Sequence, residues 1–365
     1  MTIGVLTSSR ADYGIYFPLL RAFQREESFD INLLAFGTHL SEKYGKTINK
    51  IREDGFHIYC TVETLPKGDN PGDISISMAK TISGFTPIWN KSHFDLIFAL
   101  GDRYEMFAAV ASTVPFNIPV AHIHGGETTL GAIDNSFRHA ITCLSSIHFT
   151  STDIYKERVF EITGKNGKVY NTGALSIDMI KQTRLMTLEE MKQNFDIDLT
   201  LPTILITFHP ETIRPDQNKV HIYKILKALD CLSEYQMIIT MPNADTAGLL
   251  VRKMINKWGK RKGNVHIVES FGSVGYLTCM KYCTMMLGNT SSGFVEAAYF
   301  SKPVINLGDR QKGRILTSNI INCEIGEIEI LNSIRTAERF PGIDPINIYG
   351  DGTASDKIIN LLKII

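Results

Sequence analysis

The stretches Leu96-Ile97-Phe98-Ala99-Leu100-Gly101-Asp102-Arg103 and Val120-Ala121-His122-Ile123-His124-Gly125-Gly126-Glu127 decide how this chain folds. Each opens on a short apolar run and closes in ionisable side chains set around glycine. An apolar run without alternation suits a strand covered on both faces, the usual state of a parallel sheet. The polar cluster then falls at the strand's C-terminal end, on the rim of an open α/β sheet where ligands bind. Asp134 and Arg138-His139, just beyond Glu127, extend the cluster.

The same alternation continues outward. Ile3–Thr7, Ile31–Phe36 and Ile147–Thr150 read as further strands, and Asp12–Arg25, Ser41–Asp54, Ile74–Lys91, Arg103–Val114 and Asp134–Ser145 as helices between strands. After a mostly helical, polar stretch, Leu175–Asp198, the series restarts at Pro202. Strands are expected at Ile204–Phe208, Met237–Thr240, Val265–Val268, Met285–Leu287 and Val304–Leu307. Helices are expected at Asp216–Leu232, Thr246–Gly259, Val274–Tyr282 and Phe294–Phe300, with a closing helix at Ala354–Ile365. Repeated βαβ units build doubly wound parallel sheets, and a chain of 365 residues accommodates two of them. Two such domains facing each other leave a cleft that suits a ligand.

Apolar content of 44% and charged content of 21% are those of a soluble globular protein. Lys+Arg and Asp+Glu are both 38, which argues against a general nucleic-acid binder while leaving room for a local anion pocket. No apolar run approaches the roughly 18 residues of a membrane span, and the N-terminus lacks the charge order and cleavage pattern of a signal peptide. The six cysteines are scattered without a Cys-x-x-Cys, so buried free thiols in a reducing cytosol are expected.

Gly288-Asn289-Thr290-Ser291-Ser292-Gly293 follows one strand and precedes a helix. Free backbone N–H groups and a helix dipole there suit phosphate, although Ser and Thr are also ordinary caps. Glu296, one turn on, could hold ribose hydroxyls or be a solvated helix residue. His209, after Ile204–Phe208, could bind phosphate, shuttle a proton, or be a hydrogen-bonded loop residue. Arg10, in Thr7-Ser8-Ser9-Arg10-Ala11-Asp12, suits an anion, and Asn243 with Asp245 can be explained by a turn. The spacing of Asp102, His122, His124, Glu127 and Asp134 matches no zinc pattern, so no metal is expected. Close carboxylates with a histidine fit paired acid and base work.

Together these residues resemble the UDP-N-acetylglucosamine 2-epimerase family, most closely its hydrolysing, NeuC-like branch. The matching runs are Ser9–Gly14, Gly101–Glu105, His122–Glu127, Asp134–Thr142, Phe208–Thr212, Pro242–Asp245, Gly288–Gly293 and Val304–Arg314, collinear from about residue 3 to about residue 315. The resemblance implies a GT-B fold: an N-terminal Rossmann-like domain over 1–180 on the sugar and acid/base side, a second over 181–350 on the UDP side, and a closing helix over 351–365 that packs back on the first. It implies no cofactor, a cytoplasmic enzyme, and a homodimer or homotetramer. The implied reaction converts UDP-N-acetylglucosamine and water to N-acetylmannosamine and UDP, by anti elimination to a 2-acetamidoglycal and then hydration. Alternatives are the same chemistry on UDP-2,4-diacetamido-2,4,6-trideoxyglucose, a non-hydrolysing epimerase, a GT-B glycosyltransferase, or a nucleotide-sugar sensor.

By the same resemblance Asp102, Glu127 and Asp134 are acid/base candidates. His209, Thr290, Ser291, Ser292 and Arg310 would hold the diphosphate and Glu296 the ribose. Arg10, Asp12, Arg103 and Asn243 complete the substrate-binding set. Many relatives carry glutamate where this chain has His124, so either His124 takes that role or Asp102 or Asp134 does.

Overall fold

The computed structural model describes every residue except Lys67, Asn166, residues 243–246, Arg261, Ile343 and Ile365. The chain divides into two compact units. The first comprises Met1–Glu127, Asp134–Met179 and Ile348–Ile365; the second comprises Thr128–Ile133 and Ile180–Asn347. Among the described residues no helix is long and apolar enough to cross a membrane.

The described residues of the first unit hold seven strands: β1 (Thr2–Thr7), β2 (Asp30–Phe36), β3 (Ile58–Val62), β4 (Leu96–Leu100), β5 (Val120–Ile123), β6 (Ile147–Thr150) and β7 (Lys168–Asn171). Their order is β3-β2-β1-β4-β5-β6-β7, all parallel. Alternate residues of one strand serve opposite faces. Ile3, Val5, Phe98 and Phe149 meet Tyr16, Leu20 and Phe23 of the helix Arg10–Phe23, and Ile358, Ile359 and Leu362 of the C-terminal helix. Leu6, Leu34, Ile97 and Ala99 meet Phe85, Trp89, Met106 and Ile141 on the other face. Both faces are covered, which is why β4 is apolar and buried throughout.

The second unit holds β8 (Thr203–Thr207), β9 (Gln236–Thr240), β10 (Val265–Val268), β11 (Met285–Gly288), β12 (Val304–Leu307) and β13 (Ile320–Cys323). The order is β10-β9-β8-β11-β12-β13, again all parallel. In each unit the order reverses direction once, between β1 and β4 and between β8 and β11. Such a switch point opens a crevice at the C-terminal strand ends.

The differences from the sequence expectation sit at edges and turns. β3, β7 and β13 were not expected, nor were the helices Asp153–Thr163 and Glu327–Glu338. The three strands close the ends of their sheets and are only partly buried, so they lack a continuous apolar run. The helix expected over Ser41–Asp54 is a 3₁₀ turn at Glu42–Tyr44 and a short helix at Ile48–Glu53. Left-handed backbone at Gly45 (φ 84°) and Lys46 (φ 42°) breaks it. The helix expected over Phe294–Phe300 reduces to a 3₁₀ turn at Ser291–Gly293 and four helical residues, Glu296–Tyr299.

Candidate active site

In the first unit, β4, β5 and β6 are neighbours, so their C-terminal ends bring Gly101-Asp102, His124–Glu127 and Ser151 to one rim. The loop after β5 is shaped by its glycines. A side chain on Gly125 would press on His122 Nδ1 and the Thr142 hydroxyl at 3.0 and 3.2 Å. Gly126 has φ +78°, and a Cβ there would lie 2.3 Å from the Tyr155 carbonyl. His124 itself is left-handed at φ 65°, a conformation that costs a non-glycine residue about 1–2 kcal/mol.

Arg138, carried by the helix Asp134–Leu144, ties the cluster together. Its Nη2 donates to Asp102 Oδ2, and its Nη1 donates to Glu127 Oε2 at 3.1 Å and to the His124 carbonyl at 2.9 Å. Ser151 Oγ donates to Glu127 Oε1 at 3.1 Å, and His124 Nδ1 lies 3.6 Å from that oxygen. The Arg138 and Glu127 side chains are 4% and 2% exposed, whereas Asp102 is 22% exposed. Asp134 begins the same helix and precedes Arg138 by one turn, which places the two on one helix face.

His122 lies beneath the cluster, fully buried. Burial pushes its pKa down to about 3, so the ring is neutral. Its Nε2 is 2.8 Å from the Gly101 carbonyl, which can only accept, so Nε2 carries the proton and Nδ1 faces the Thr142 hydroxyl at 3.1 Å. His122 therefore shapes the Gly101-Asp102 turn as a neutral donor.

The turn after β1 forms a separate network. Asp12 is buried, and its carboxylate accepts from Ser8 N at 2.8 Å, Ser8 Oγ at 2.9 Å, Ser9 N at 2.9 Å and Thr7 Oγ1 at 3.1 Å. With Ser9 it forms a capping box at the start of the helix that Arg10 opens. Arg103 precedes the helix Tyr104–Thr113, and its Nε donates to Glu105 at 2.6 Å.

In the second unit, the turns after β8 and β11 are clamped together. His209 N donates to Asn289 Oδ1 at 2.7 Å, and Asn289 Nδ2 returns a bond to the His209 carbonyl at 2.8 Å. Only glycine fits at 288: its φ is +148°, and a Cβ would sit 1.9 Å from the Thr207 carbonyl. Thr290 Oγ1 and Ser292 Oγ are 3.1 Å apart, with the Tyr276 hydroxyl 2.6 Å from Ser292. Gln311 and Arg310 both donate to the Asn289 carbonyl, at 2.8 and 3.3 Å. The long helix dipole expected at this turn is absent among the described residues, because four helical residues after a 3₁₀ turn sum only a small dipole. What the turn offers an anion is clustered hydroxyls with a guanidinium beside them. Asn243 lies outside the described residues.

The motifs left Arg138, Ser151, Asn289 and Gln311 without a role. Arg138, Asn289 and Gln311 stand inside the quoted runs, and Arg138 carried a usable signal, its i+4 spacing from Asp134. Ser151 follows β6 with no motif around it, and only the adjacency of β5 and β6 reveals it.

The fold recurs in solved proteins. The Neisseria meningitidis UDP-GlcNAc 2-epimerase bound to UDP-GlcNAc superposes with a TM-score of 0.81 at 20% identity, covering 100% of both chains. The Methanocaldococcus jannaschii UDP-GlcNAc 2-epimerase in complex with UDP-GlcNAc and UDP gives 0.81 at 16%, again over 100% of both. These likenesses define the class: a GT-B-type α/β protein with two doubly wound parallel sheets. In sequence, the UDP-N-acetylglucosamine 2-epimerase family model matches residues 21–363. The chain is 34% identical to the hydrolysing GDP/UDP-N,N'-diacetylbacillosamine 2-epimerase of Campylobacter jejuni over 90% of this chain and 85% of that one. It is 32% identical to the hydrolysing UDP-N,N'-diacetylbacillosamine 2-epimerase of Legionella pneumophila, over 99% and 95%. The polysialic acid biosynthesis protein P7 of Escherichia coli follows at 31%, over 91% and 85%. The chain belongs to the UDP-N-acetylglucosamine 2-epimerase family, in its hydrolysing branch.

Proposed function

We propose that this protein hydrolyses UDP-N,N'-diacetylbacillosamine, the UDP-linked 2,4-diacetamido-2,4,6-trideoxyglucose, with inversion at C2. The products are UDP and the free manno-configured sugar. This replaces UDP-N-acetylglucosamine as the first expectation and takes up the alternative substrate. The observation that carries the choice is the 34% and 32% identity, over 90% and 99% of this chain, to two enzymes named for that sugar.

The chemistry asks for a base, an acid and a hold on the departing diphosphate. A base takes the C2 proton, the C1–O bond breaks, and UDP departs with its electron pair, leaving a glycal. Water then adds at C1 while an acid returns a proton to C2 on the opposite face. A weakly acidic C–H needs a base within hydrogen-bond reach. The acid/base groups are drawn from Asp102, His124, Glu127 and Asp134 in the first unit. In the second unit His209, Thr290, Ser291, Ser292 and Arg310 would stabilise the diphosphate as its charge grows, with Glu296 at the ribose. Arg10 and Arg103 would meet the phosphate or sugar end, with Asp12 holding the turn that carries Arg10.

The test offers both UDP-sugars side by side in deuterated water. The expected products are free UDP and a free sugar carrying deuterium at C2, with the diacetamido substrate preferred in kcat/KM. A preference for UDP-N-acetylglucosamine, which the 31% likeness to the polysialic acid protein would favour, overturns the substrate assignment. An epimeric UDP-sugar accumulating without free UDP overturns hydrolysis itself.

A further inference from the structure

We propose that Ser151 and Glu127 are positioning residues, a buried brace that holds Arg138 against Asp102, the acid/base carboxylate of the proposed function. The inference rests on the proposed function and narrows it. A group that moves a proton to substrate must be reached by substrate. Glu127 is 2% exposed, with Oε1 held by Ser151 and Oε2 held by Arg138. Ser151 is 1% exposed. Exposure rises only at the other end of the chain of bonds, at Asp102, which is 22% exposed. The arrangement is therefore ordered from inside outward: Ser151 hydroxyl, Glu127 carboxylate, Arg138 guanidinium, Asp102 carboxylate. A guanidinium presents its donors in a fixed plane, so fixing Nη1 on Glu127 and the His124 carbonyl aims Nη2 at Asp102. The other charged or titratable groups on the elements around this chain of bonds include His122, His124 and His148, Asp134 and His139 on the Arg138 helix, Arg103 with Glu105, and Arg158 on the Gly126 carbonyl.

The experiment compares Ser151→Ala, Ser151→Thr, Glu127→Gln and Asp102→Asn. Losing one hydrogen bond to a buried charge corresponds to roughly 10-fold in rate or more. Ser151→Ala should lower kcat by about that factor with KM within about twofold, and Ser151→Thr, which keeps the hydroxyl, should recover most of it. Asp102→Asn should lower kcat by roughly 100-fold or more. Glu127→Gln should keep measurable turnover. Wild-type rates in Ser151→Ala, or activity in Glu127→Gln as low as in Asp102→Asn, overturn the brace. A second readout needs no catalysis. NMR signals of the Arg138 guanidinium should report restricted rotation in the wild type and freer rotation in Glu127→Gln; no change overturns the proposal. A protein that turned over neither UDP-sugar would refute the proposed function, while this measurement would still decide the brace.

Discussion

Single residues set the shape of the rim. Gly126 combines a positive φ with a neighbouring carbonyl where a Cβ would lie, 2.3 Å away. Gly126→Ala therefore adds backbone strain of about 1–2 kcal/mol to a clash with rigid backbone. The expected outcome is a lower Tm by circular dichroism together with loss of turnover, since the same turn carries His124 and Glu127. A variant with wild-type Tm would show that the loop relaxes without harm. The glycines and ionisable residues at this turn were legible in the sequence because strand ends carry a distinctive pattern. The partners of those residues were not legible. Arg138 joins Asp102 across 36 residues of chain, and Ser151 joins Glu127 across 24. Nothing local encodes such a pairing; it follows from which strands become neighbours.

At the scale of elements, β5 and β6 place His122 and His148 as cross-strand partners in the sheet interior. Burial lowers His122 to about 3 and His148 to about 4. In the unfolded chain both titrate near 6.5. Each stays neutral in the fold while the unfolded chain takes up protons, so stability falls as pH drops from about 6.5 toward about 4 and 3. Thermal melting across that range should show the decline, and His148→Leu should flatten it; an unchanged slope would count against the buried neutral pair. A second element depends on one carboxylate. Asp178, fully buried, accepts from Ala354 N at 2.9 Å, Ser355 N at 2.6 Å and Ser355 Oγ at 2.5 Å, capping the helix Ala354–Leu362 from a distant part of the chain. Asp178→Ala should cost about 2 kcal/mol in chemical denaturation, because it removes a cap and leaves buried donors unpaired. The edge strands β3, β7 and β13 escaped sequence reading because partial exposure mixes polar residues into them. The central strands were legible because burial on both faces keeps them mostly apolar.

At the scale of the whole molecule, the chain starts and ends in the same unit. Ile358, Ile359 and Leu362 are each at most 4% exposed and belong to the first unit's core. Burying such side chains contributes about 1.5–3 kcal/mol each, against a typical domain stability of about 5–15 kcal/mol. Truncation after Asn347 should therefore leave the first unit unable to fold cooperatively, seen as loss of a sharp melting transition; a truncated chain with a wild-type melt would show the helix to be dispensable.

The sequence by itself determined that the chain builds two doubly wound parallel sheets and which glycines, carboxylates and histidines stand at the strand ends. It could do so because hydrophobic periodicity and turn chemistry act between near neighbours along the chain. Only the tertiary structure decided that Arg138 unites Asp102 with Glu127, that Ser151 stands behind them, that Asp12 locks its own turn, and that the turn at Thr290–Ser292 leads into four helical residues rather than a long dipole. Those outcomes depend on strand order and on burial, which set the distances between residues far apart in sequence.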